Sequence, residues 1–128
     1  MQLKHRIPPL LLALLVNGAA TADVTDQDFV AQNTQNLLNL CTASPHDPHY
    51  RAAIHFCHGY LVGAVHYHQA QTADKAELKL FCAPEPKPSR NETIAKFISW
   101  AQQHPEYLNE MPVETEFRFL AEKFPCNK

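Results

Sequence analysis

Apolar positions along the chain form one run near the N-terminus and four later stretches in which they recur at helical spacing. The early run, Ile7 to Val16, is interrupted only by Pro8 and Pro9 and gives way to small residues. Further on, Phe29, Val30, Leu37, Leu38 and Leu40 precede Cys41. Thr25 and Asp28 ahead of them have the spacing of a capping box, which predicts a first helix from about Thr25 to Cys41. Asp47 reads as the N-cap and Pro48 as the first residue of a second helix ending near Gln71. Its packing face is expected to carry Ala53, Phe56, Cys57, Gly59, Tyr60, Gly63, Ala64 and Tyr67. The stretch from Thr72 to Pro88, charged and rich in proline, is a connector. Ser89 and Glu92 form a second capping box, opening a third helix with Ile94, Phe97, Ile98 and Ala101 at helical spacing and closing at His104-Pro105. A fourth helix starts between Asn109 and Pro112, with Val113, Phe117, Leu120, Ala121 and Phe124 as its apolar stripe. No stretch sustains the period-two alternation of a strand, so the predicted class is all-α, a small up-and-down bundle of four helices.

The N-terminal run is too short to span a membrane, which takes roughly 20 apolar residues. With Lys4, His5 and Arg6 before it and Ala20-Thr21-Ala22 after it, the run reads as a secretory signal cleaved before Asp23. The expected organisation is a signal peptide at 1–22 and a single domain at 23–128. Removing Lys4 and Arg6 from eleven basic residues leaves nine against thirteen acidic ones, a net charge of −4. That balance argues against nucleic acid and anionic membrane as partners, because both demand a basic face.

Export places the four cysteines in an oxidising compartment, where disulfides are their ordinary use. Four cysteines allow three pairings, and antiparallel succession of the helices favours two bridges: Cys41 with Cys57 where the first helix meets the second, and Cys82 with Cys126 where the third meets the fourth. Cys57 lies about ten residues into its helix, roughly 15 Å along the axis, so the first helix has to overlap the second partway along. Zinc is the rival use, but the chain has no C-x-x-C motif. Gly59 and Gly63 each cost about 1 kcal/mol relative to alanine within a helix. With Tyr60 between them, they are read as a place where another backbone approaches closely.

Seven histidines in residues 23–128 invite a catalytic or metal reading. His55, His58 and His66 share one stripe of the second helix, yet the first and last are eleven residues apart, roughly 16 Å, too far for one ion. His55 and His58 alone supply two ligands and no third, which favours a solvated stripe over a metal hydrolase. Ser44, Ser89 and Ser99 lie in a turn, a cap and a helix, without a nucleophile elbow. Pairs such as Glu114 with Glu116, or Glu106 with Glu110, are expected on the polar sides of helices. No catalytic residue, metal site or cofactor-binding residue is assigned, and binding becomes the default function. The histidines also motivate an acid-responsive periplasmic chaperone as the alternative, since their protonation below about pH 6.5 would reverse the sign of the net charge.

Five short signatures occur in fixed order: Leu37-Leu38-x-Leu40-Cys41, Phe56-Cys57-x-Gly59-Tyr60-x-x-Gly63, Phe81-Cys82-x-Pro84, His104-Pro105-Glu106 and Phe124-Pro125-Cys126. Together they resemble the Rap/Tai family of immunity proteins, the periplasmic antidotes of type VI secretion peptidoglycan amidases. The resemblance implies an all-helical, disulfide-bonded protein, often a homodimer, that binds and blocks a cognate toxin hydrolase. The residues that would touch the toxin are not assigned by it. The connector from Thr72 to Pro88 and the turn from Thr42 to Asp47 are the natural protruding candidates.

Overall fold

The computed structural model describes residues 23–126; the expected export signal, with Ile7 to Val16 and Ala20-Thr21-Ala22, lies outside the described residues. Four helices make up the domain: α1 (Thr34–Cys41), α2 (Tyr50–Gln71), α3 (Arg90–Gln102) and α4 (Pro112–Lys123). Single 3-10 turns occur at Asp28–Val30, Ala76–Leu78 and Pro105–Tyr107, and no strand occurs among the described residues. α4 packs against all three other helices, and α1 also lies along α2. The core runs from Leu37, Leu40 and Cys41 of α1 through Ala53, Cys57 and Leu61 of α2 to Phe97 and Ala101 of α3 and Phe119 and Leu120 of α4. Fully burying a leucine or phenylalanine stabilises by roughly 1.5–3 kcal/mol, so this set is the main source of cohesion.

Both bridges form as the antiparallel succession of helices favours, Cys41–Cys57 and Cys82–Cys126. The second ties the connector to the end of α4, reinforced by the Cys82 N–H donating to the Phe124 carbonyl at 2.8 Å.

The predicted first helix is broken in two. Thr25 does pair with Asp28, its N–H and hydroxyl both donating to Asp28 Oδ2, but the pair closes only a 3-10 turn. Ala31 then takes a left-handed backbone (φ 49°), a conformation that costs a non-glycine residue roughly 1–2 kcal/mol and gives no warning in an alanine. α1 begins afresh at Asn33, whose side chain caps the Asn36 N–H. Its next two amides are satisfied by the loop before α4: Thr34 N–H donates to the Glu110 carbonyl at 2.8 Å and Gln35 N–H to the Leu108 carbonyl at 3.0 Å. Beneath them the hydroxyls of Thr34 and Thr115 share a buried 2.7 Å hydrogen bond. Asp28, also buried, accepts from Asn36 and Asn39 of α1 as well as from Thr25. Burial pushes its carboxyl up, but Thr25, Asn39 and Asn36 outweigh that and hold it below the usual range.

The capping box at Ser89 forms completely, with Ser89 Oγ accepting from Glu92 N–H and Glu92 accepting from Ser89 N–H. α2 starts two residues later than predicted. Asp47 is no helix cap; it is a buried staple whose two oxygens accept the N–H groups of Val24 and His49.

The packing face of α2 is rotated relative to the expectation. Ala53, Cys57 and Leu61 are buried and Tyr60 is half-buried, stacked on Phe56, whereas Gly59 and Gly63 are exposed. A methyl group built on either glycine meets nothing within 4 Å, so neither serves a close helix contact within the domain. The physical reason is angular: Gly59 follows Cys57 by two residues, or roughly 200° around the helix, and cannot share its face. On α4 the buried set is likewise shifted, to Thr115, Glu116, Phe119 and Leu120, with Val113 and Phe117 only half-buried.

Candidate binding surfaces

The histidines separate into two groups. His55 and His66 are exposed and His58 is half-buried, and no three His, Cys, Asp or Glu side chains among the described residues gather where they could hold a metal ion. His68 and His104 are built into the scaffold. His68 Nε2 accepts the Leu80 N–H at 3.2 Å, its ring stacks on Phe81 at 5.4 Å, and it meets Phe117 edge-on at 5.1 Å, which fastens the connector to α2 and α4. His104 stacks on Trp100 at 4.1 Å, with Nδ1 2.7 Å from the Trp100 carbonyl oxygen. Tyr107 extends that stack and carries the Arg118 guanidinium over its face, while Arg118 binds Glu110 through two hydrogen bonds.

The connector between α2 and α3 exposes large apolar side chains. Leu78 is 53% and Leu80 57% exposed, although Leu80 is anchored at its backbone and flanked by the half-buried Phe81 and Cys82. Tyr67, one residue before the His68 anchor, is exposed as well. Both leucines thus stand exposed on a segment tethered by a disulfide. In the turn from Thr42 to Asp47, by contrast, Ala43 and Asp47 are buried, so the turn is largely committed to the fold.

A cleft of about 260 Å³ opens where α2 and α3 diverge above α4. Its walls include Leu61, Val62 and Val65 of α2 and Ile94 and Phe97 of α3, and α4 contributes Glu116. Glu116 is 3% exposed, and its Oε2 has no hydrogen-bond partner. Burial pushes its carboxyl up to about 9, so it is a neutral acid at pH 7. The local sequence pattern places this residue on a polar helix side, and nothing in it signals otherwise. Beside it, burial also pushes the Tyr60 phenol above its ordinary range.

These are the parts of a small, doubly stapled helical domain with exposed leucines on its connector and a largely apolar cleft. A sequence profile of the Rap1a immunity proteins matches residues 33–126, and the chain belongs to that family. The matched region starts at the cap of α1 and ends at Cys126, so it takes in all four helices and both bridges. No curated protein and no solved structure matches the chain. Membership in an immunity family implies a role exerted by binding rather than by catalysis.

Proposed function

We propose that this protein is a periplasmic antidote that binds and inhibits a peptidoglycan amidase delivered by type VI secretion. The family match over residues 33–126 carries this reading. Two disulfides suit an oxidising compartment outside the cytoplasm, and the Ile7 to Val16 run with its Ala20-Thr21-Ala22 site supplies the route there. On this reading 23–128 is one inhibitory domain. The connector is its toxin-facing surface, because Leu78 and Leu80 stand exposed on a segment fastened at Leu80 by His68 and at Cys82 by the bridge to Cys126.

The test is protection of a cell. A type VI secretion peptidoglycan amidase is directed to the periplasm with and without this protein, each such amidase of the source genome being tried in turn. Restored growth with the intact protein, and lysis when Leu78 and Leu80 are both changed to aspartate, is the expected result. Lysis that proceeds unchanged while the intact protein accumulates in the periplasm refutes the proposal.

A further inference from the structure

The cleft between α2 and α3 contains a group that the domain itself does not use. α4 supports both neighbours, but its Glu116 points no hydrogen bond at any of them, and the upward shift of its carboxyl has burial as its cause, with no neighbouring charge. The charged and titratable side chains facing the cleft are Glu116 from α4, His66 from α2 and Arg90 from α3. Tyr60 of α2 lies close enough for the Glu116 charge to act on its phenol. His66 and Arg90 are exposed at the rim, and neither forms an ion pair with Glu116. Apart from these and Thr93, the side chains lining the cleft are aliphatic or aromatic.

We propose that this cleft is a binding site for an aliphatic primary ammonium group, whose methylenes lie against Leu61, Val62, Val65, Ile94 and Phe97 and whose nitrogen donates to the Glu116 carboxylate. An aliphatic anion would place its charge on the apolar cleft floor with only the protonated Glu116 carboxyl to donate to it. A plain alkane would leave the Glu116 carboxyl without a partner. A guanidinium carries five donors in a rigid plane and finds one acceptor group here, whereas an ammonium is compact and its three donors rotate to suit. The ammonium can belong to a lysine side chain of a protein partner or to a free amine. In either case, binding at neutral pH transfers the Glu116 proton to solvent and leaves an ammonium–carboxylate pair. Affinity therefore rises about tenfold per pH unit while the empty cleft still holds its proton.

Hexylammonium, hexanol and hexanoate are titrated into the oxidised protein at pH 6, 7 and 8, following the methyl resonances of Val62, Val65 and Ile94. The expected result is saturable shifts with hexylammonium, tightening roughly tenfold per pH unit, with hexanol and hexanoate at least tenfold weaker. Glu116→Gln is expected to lose at least tenfold in hexylammonium affinity with an unchanged helical circular dichroism spectrum. Should that variant not fold, the pH dependence of the unaltered protein reads the same carboxyl. A capped peptide with one lysine separates the sources: binding assigns the site to a protein-borne lysine, and silence beside a hexylammonium response assigns it to a free amine. Absence of saturable shifts, hexanol or hexanoate binding as well as the amine, or affinity independent of pH overturns the proposal.

Discussion

Replacing Glu116 with glutamine isolates the most unusual electrostatic feature of the domain. The unfolded chain releases this proton near pH 4.5, whereas the folded domain retains it up to about pH 9. Between those limits the native state holds one proton that the unfolded state has lost, so stability falls as pH rises, by about 1.4 kcal/mol per unit. Relative to pH 4.5, the group costs about 3 kcal/mol by pH 7, a large share of the 5–15 kcal/mol typical of a domain. Glutamine keeps the shape and removes the titration. Urea unfolding followed by fluorescence of Trp100, the single tryptophan, measures this at pH 5, 6, 7 and 8 for both proteins. The expected result is a gap that widens in favour of Glu116→Gln with each unit, while all other titrating groups cancel in the difference. Asp28 and Asp47, held low by Thr25, Val24 and His49, add stability that is lost only below their ordinary range, outside this window. Two stability curves that run parallel from pH 5 to pH 8 would refute the burial argument for Glu116.

Removing Cys82–Cys126, which closes a separation of 44 residues, is expected to cost about 4 kcal/mol in chain entropy, more than the about 3 kcal/mol for the 16-residue separation of Cys41–Cys57, as read from urea midpoints of the Cys→Ala pairs. Gly59→Ala and Gly63→Ala are each expected to raise the melting temperature, by up to about 1 kcal/mol of stability, because the added methyl has free space in a helix interior. Thr115→Val removes the partner of Thr34 in the core and is expected to cost about 1–3 kcal/mol in the same assay. Leu78→Asp with Leu80→Asp is expected to leave the melting temperature unchanged and to weaken toxin binding at least tenfold by calorimetry.

Helix content and the pairing of the cysteines were legible because each rests on local or topological rules. Ser89 and Glu92 are three apart and close a real capping box, and antiparallel neighbours bring Cys82 to Cys126. The break after Val30 was not legible, since it depends on Ala31 in a left-handed conformation and on α1 amides finding carbonyls at Leu108 and Glu110, more than seventy residues away. The glycines misled for a simpler reason. Spacing of four puts Gly59 and Gly63 on a common stripe, but that stripe lies opposite the Ala53–Cys57–Leu61 row that α1 and α4 cover. Burial of Glu116 was not legible, because a charged residue one position after the buried Thr115 looks like a solvated helix side in any local window. Only the divergence of α2 and α3 above it makes the position a cleft floor.

Inhibition by the oxidised protein of the purified amidase against which it protects cells, assayed on peptidoglycan fragments, is the most direct measurement of an antidote role. Complete loss of amide cleavage at equimolar protein, with a stoichiometric complex on gel filtration, is the predicted result. Undiminished turnover in the presence of a large excess, with the two proteins eluting separately, contradicts it.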